Sequence, residues 1–180
     1  KRHTWENRAM QVLQMMERDI ADQCIAPVEE PGIWQTWQQE YEKRGYRFYM
    51  PHDNEGQKKS KKILLITHQL SRSGAPYALY TMAQQLRKEY QIVVLTVEPG
   101  ELLEDYLNAG ILVVEAGKYW NRKFVFKGFA KQFDAVVANT VLNFPAVMLL
   151  DGLSLPVFWW IHEHENYFSY GRGEVPDPKG

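Results

Sequence analysis

The chain has 180 residues, 45% hydrophobic and 24% charged, the profile of one soluble globular domain with an appendage. A formal net charge of -1 excludes the basic face that nucleic acid as a main partner would require. A single cysteine, Cys24, excludes an internal disulfide, and no apolar run is long enough to span a bilayer as a helix.

With no signal peptide visible at the start, these features describe a cytoplasmic protein, the inner face of the membrane being the alternative station. The chain begins at Lys1 without methionine and ends in EVPDPKG, as a piece of something longer would.

Residues 1–56 read as a helical extension. Trp5, Ala9, Val12, Leu13, Met16 and Ile20 recur at helical spacing, and the helix they predict stops before Pro27. A second helix is expected after Pro31-Gly32, with Ile33, Trp34, Trp37 and Tyr41 on one face and Gly45 near its end. A helical hairpin of this size cannot bury its tryptophans alone, so packing onto the next domain is expected, since bare tryptophans would leave an apolar patch. The QKKSKK run at 57–62 reads as a linker. Its lysines could touch an anionic membrane, but a solvated lead-in to a strand is the simpler reading.

From Lys62 onward, strand and helix patterns alternate. Strands are expected at 63–68, 92–97, 111–115, 134–139 and 156–161, each rich in Val, Ile, Leu or aromatics. Helices are expected at 76–88, 101–108, 124–132 and 144–150. Near-continuous apolar strands between helices predict an α/β fold, a doubly wound, Rossmann-like parallel sheet covered on both faces. Right-handed crossovers in the order 3-2-1-4-5 bring the carboxyl ends of the first, fourth and fifth predicted strands side by side. The residues arriving there are those from His68 to Ala75, Asn139-Thr140 and His162-Glu163, and this is where a ligand site is expected.

The first of these loops, within KILLITHQLSRSGAP, runs from a buried-type strand into a helix opened by Pro76. Unpaired N–H groups and the positive end of a helix dipole meet there, which suits an anion such as a phosphate. A dinucleotide fingerprint is ruled out because the loop has one glycine, Gly74, although Glu98 stands where a ribose-binding acid would. A Walker-type loop is excluded because no GK[ST] follows the strand. His162, Glu163, His164 and Glu165 alternate, but no further Cys or His completes a ligand set, so no metal is expected. The bland alternative for His162 is a strand-end histidine hydrogen-bonded to backbone. For Thr140 and Asn139 it is capping of the following helix, and for Arg72 a solvated loop arginine.

Three segments carry a family resemblance: THQLSRSGAPYALYTMAQQL (67–86), FDAVVANT (133–140) and LPVFWWIHE (155–163). Together they resemble the N-terminal half of retaining glycosyltransferases of family 4, enzymes with the two-Rossmann-domain GT-B architecture. The likeness spans residues 62–167, about three fifths of the chain, and looks closest to enzymes that build bacterial surface polysaccharides. It implies that residues 57–180 are the acceptor-side domain, with a nucleotide-sugar donor held mostly by a second Rossmann domain, and a glycan or lipid-linked acceptor. It also implies that Ser73, Gly74 and Ala75 approach the donor diphosphate through backbone N–H groups. Arg72, Asn139 and Thr140 would contact phosphate or sugar. His162 would face the transferred sugar, with Glu163 orienting it or binding an acceptor hydroxyl. No metal or other cofactor is implied. Nothing after Glu163 supplies the second domain or the family's two glutamates seven residues apart, so the chain alone is expected to be inactive. A non-catalytic sugar- or nucleotide-binding module, or an assembly module joined through the helical extension, are the other classes left open.

Overall fold

The computed structural model describes residues 32–53 and 59–162, together with Gln11, Gln14 and Met15, which are helical. The first expected helix otherwise lies outside the described residues, as do Cys24 and Glu163.

The elements run α1 (Ile33–Glu42), β1 (Arg47–Tyr49), β2 (Lys62–Gln69), α2 (Gly74–Leu86), β3 (Gln91–Glu98), α3 (Leu103–Asn108) and β4 (Leu112–Glu115). A 3-10 turn (Tyr119–Arg122) leads into α4 (Lys123–Ala130), followed by β5 (Ala135–Asn139), a second 3-10 turn (Val141–Asn143), α5 (Phe144–Leu150) and β6 (Val157–Trp160). The five parallel strands expected from the sequence are β2 to β6, each end within about one residue of the prediction.

The sheet order is β1-β4-β3-β2-β5-β6, so the parallel strands take the expected doubly wound order. β2 is central, pairing in parallel with β3 (Ile63 with Ile92) and β5 (Ile63 with Ala135). The order reverses between β2 and β5, and this is the switch point.

Residues on alternate sides of the strands make two cores, as a period of two in a sheet covered on both faces requires. On one face Ile63, Leu65, Val94 and Val137 meet Leu79, Met82 and Leu86 of α2 and Tyr106 of α3. On the other, Leu64, Ile66, Val93 and Val136 meet α4 and α5 through Phe126, Phe129, Ala146 and Leu150. The result is a three-layer α/β/α sandwich.

The tail preceding β2 belongs to this second core. Trp34 is fully buried and Trp37 nearly so, which meets the expectation that they pack on the sheet domain. Phe129 of α4 is the hub, its ring 5.7 Å from Trp37, 4.9 Å from Tyr41 and 5.8 Å from Tyr46, in edge-on geometries that favour aromatic pairs. Within the stretch expected to be purely helical, Arg47–Tyr49 instead forms β1, antiparallel to β4 with Phe48 opposite Val114. Phe48 fills the core while Arg47 and Tyr49 both meet Glu115 on the other side. β1 covers the edge that β4 would otherwise expose.

Candidate functional site

The three loops singled out in the sequence converge at the carboxyl rim of the sheet. The loop after β2 is shaped by its own side chains. Gln69 Nε2 donates to Ser71 Oγ (3.1 Å), and the Ser71 and Ser73 hydroxyls lie 2.7 Å apart. Ser73 is the N-cap of α2 in an extended conformation, and its side chain makes no capping hydrogen bond. The first intrahelical bond runs from Tyr77 N–H to the Ser73 carbonyl (2.9 Å). The amides of Ser73, Gly74 and Ala75 therefore have no partner within the helix, and Pro76 has no N–H to offer.

Gly74 is exposed, its φ is not positive, and a Cβ built on it meets nothing within 4 Å. Neither the fold nor the backbone calls for glycine there. Gly100 is the contrast, because a Cβ at that position would stand 2.6 Å from the Leu70 carbonyl oxygen.

Arg72 is exposed and held toward α3. Its guanidinium donates to Asp105 Oδ2 (2.6 Å) and its backbone N–H to Glu101 Oε2 (3.0 Å). A pair this open to solvent is worth little and can be exchanged for another anion.

Asn139 is fully buried at the end of β5. Its Nδ2 donates to the Ala75 carbonyl (3.0 Å), and its Oδ1 lies 2.7 Å from His162 Nε2. One amide thus touches both neighbouring loops. Thr140 follows at φ 68 and ψ 163, a region that side chains other than glycine rarely enter. Its Oγ1 accepts from Leu142 N–H (3.2 Å), so the capping alternative for Thr140 matches its contact here. His162 is partly buried, two residues past Trp160, the last of β6, with ring centroids 4.3 Å apart.

Sequence reasoning overlooked Asn143 and Tyr119. Asn143 Nδ2 donates to the Asn139 carbonyl (2.5 Å), and Tyr119 Oη donates to Asn143 Oδ1 (3.3 Å). Burial pushes the Tyr119 hydroxyl well above its ordinary pKa, so it stays protonated and able to donate. The four-residue spacing of Asn139 and Asn143 was the available signal.

Among the described residues no group of three or more His, Cys, Asp or Glu is placed to hold a metal ion. No helix among them is long and apolar enough to cross a membrane. An open groove of about 470 Å³, lined by Phe133, Asp134, Leu153 and Leu155 among others, lies at the opposite, amino-terminal rim. No candidate residue lines it.

A doubly wound α/β sheet with a polar cluster at its switch point defines the class, a Rossmann-like domain. The comparison with protein families is specific. The model for "Glycosyl-transferase family 4" matches residues 59–175, about two thirds of the chain, and the chain belongs to that family. No curated protein matched it, nor did any solved structure.

Proposed function

We propose that this chain is the acceptor-side domain of a retaining glycosyltransferase that moves a sugar, of hexose type, from a nucleotide-sugar donor to a glycan or lipid-linked acceptor in cell-surface polysaccharide synthesis. Family membership supports transfer in general. The observation that carries the finer reading is Gly74, a glycine in an open first helical turn that nothing inside the domain requires. A requirement from outside, the close approach of a diphosphate to the amides of Ser73, Gly74 and Ala75, accounts for it.

The bond from the anomeric carbon to the diphosphate oxygen breaks and its electron pair leaves with the phosphate. The acceptor oxygen then attacks the same face through an oxocarbenium-like state and gives its proton to the departing phosphate oxygen. Amide dipoles and the field of α2 oppose the charge that grows on the leaving group. His162 stands on the sugar side of the site and Glu163 follows it. Arg72, released from Asp105, supplies mobile positive charge at the same rim. The proposal assigns no step to a metal or organic cofactor. A second Rossmann domain closes the cleft and selects the donor, so the 180-residue chain is inactive alone.

A lipid-linked acceptor calls for peripheral membrane contact. The QKKSKK run is a poor candidate, since Lys62 begins β2 and Lys59 Nζ donates to the Lys88 carbonyl. Residues 116–133 fit better: they carry Lys118, Arg122, Lys123, Lys127 and Lys131 and no acid. Lys123 and Lys127 of α4 and Lys131 just past its end recur at helical spacing, Lys123 and Lys131 exposed and Lys127 half-buried, and Lys123 Nζ lies 5.1 Å from the ring of Phe124, which is 79% exposed. Tyr119, at the start of this stretch, touches Asn143 and so joins the patch to the site.

The experiment uses the full-length parent with a panel of nucleotide sugars, following release of nucleoside diphosphate. Transfer that is lost in His162→Ala supports the proposal. Steady turnover by the isolated chain overturns the division of labour, and a His162→Ala parent that loses only affinity marks a binding module instead.

A further inference from the structure

We propose that Asn139 is the positioning residue of this site: a single buried amide that holds His162 with its Nε2 protonated, at a set distance from the amino end of α2. The proposal rests on the reading of His162 as the residue facing the transferred sugar. Asn139 is fully buried, so it acts through its neighbours and not on a ligand.

Hydrogen-bond direction decides the arrangement. The Ala75 carbonyl can only accept, so the amide must turn Nδ2 toward it, at 3.0 Å. That leaves Oδ1 facing His162 Nε2 at 2.7 Å. A carboxamide oxygen also only accepts, so Nε2 must carry the hydrogen. Reversing the amide would set two acceptors against each other at Ala75. The histidine tautomer is thereby written by a backbone carbonyl in the helix that offers its amides to phosphate.

The backbone that carries this amide is itself anchored from behind. Asn143 Nδ2 reaches the Asn139 carbonyl, and Tyr119 Oη reaches Asn143 Oδ1, through residues buried to within a few per cent. Thr140 is held in its rare conformation by its N–H to the Trp160 carbonyl (2.8 Å) and by Trp159 Nε1 to its own carbonyl (2.8 Å). Such a conformation is strained and persists where surrounding contacts over-determine it. Here those contacts belong to β6 and fix the turn between Asn139 and the strand that delivers His162. Contact with the tilted Trp160 ring, centroids 4.3 Å apart, limits the remaining rotation of the imidazole.

The test is made first on the 180-residue chain by nitrogen-15 NMR of the histidine side chains, with His162→Gln assigning the signals. The wild type should show a slowly exchanging Nε2–H resonance for His162. Asn139→Asp keeps an acceptor toward Nε2 and should keep that resonance, at a lower Tm because its second oxygen faces the Ala75 carbonyl. Asn139→Leu and the shorter Asn139→Ser, two variants with different risks to folding, should lose it to solvent exchange while thermal unfolding and amide spectra report the fold. A wild-type ring protonated only on Nδ1, or a resonance unchanged in a folded Leu or Ser variant, overturns the proposal. In the full-length parent, Asn139→Ser should lower kcat by about tenfold to hundredfold with little change in KM, the signature of a misplaced group. If His162→Ala is inactive while Asn139→Ser is fully active, this proposal falls alone. If His162→Ala transfers normally, the underlying reading of His162 falls first and takes the catalytic half with it.

Discussion

Replacing Gly74 by alanine separates a structural glycine from a functional one. Gly74 occupies the first turn of α2 at an ordinary φ, with no atom within 4 Å of the added Cβ. Alanine exceeds glycine in helix propensity by about 0.8–1.0 kcal/mol in a helix interior, and by less in a first turn. At roughly 2–4 °C per kcal/mol for a domain of this size, Tm should stay level or rise by up to that amount. Activity should move the other way. On the proposed reading a methyl group at this position would stand between a diphosphate and the amides, and hydrogen bonds to a charged group contribute about 1.5–3 kcal/mol each. Loss of one such contact lowers kcat/KM of the full-length parent by about tenfold to hundredfold. Thermal unfolding of the isolated chain and nucleoside diphosphate release by the parent measure the two effects. A clear fall in Tm would show that the fold requires glycine after all. Unchanged kcat/KM would show that nothing approaches these amides closely, and the phosphate reading would fail.

Trp37→Ala should destabilise the chain by about 3–5 kcal/mol, because a nearly fully buried ring against Phe129 and Phe133 leaves a cavity, and chemical denaturation reads this directly. Deleting residues 1–56 removes β1 and both tryptophans from the core, so the remainder should aggregate; a soluble remainder with the original Tm would contradict the shared core. Gly100→Ala should lower Tm, since its Cβ would collide with the Leu70 carbonyl, and an unchanged melting curve would speak against that close approach. Reversing charge in K123E/K127E/K131E should abolish sedimentation with anionic vesicles, each lysine contributing about 1 kcal/mol near such a surface. Phe124→Ser alone should weaken the wild-type binding that persists in salt, whereas equal binding to neutral vesicles, or wild-type binding by the triple variant, would remove the membrane reading.

Most of the sheet was legible before any coordinates. Apolar runs such as those at 63–66 and 135–138 are buried on both sides, and a strand covered on two faces announces itself without a partner. Chain chirality then leaves few strand orders, which is why the expected doubly wound order and the switch point between β2 and β5 agree with the fold. Helix α5 agrees as well, opened by Phe144-Pro145 and running to Leu150.

β1 escaped because three residues between Gly45 and Pro51 are too few to show a period, and its pairing partner lies 68 positions away, as Arg47 with Glu115 shows. The site divides in the same way. Local chemistry marked Gly74, Asn139 and His162 as unusual residues at loop starts. Only the folded chain revealed that Asn139 turns its amide inward to bridge partners 64 and 23 positions distant, and that Thr140 takes a glycine-like conformation. Periodicity along the chain records which side of an element is buried, because burial depends on neighbours a turn or a strand step away. Hydrogen-bond direction and backbone strain depend on groups that the crossovers bring together, so those were decided by the tertiary structure.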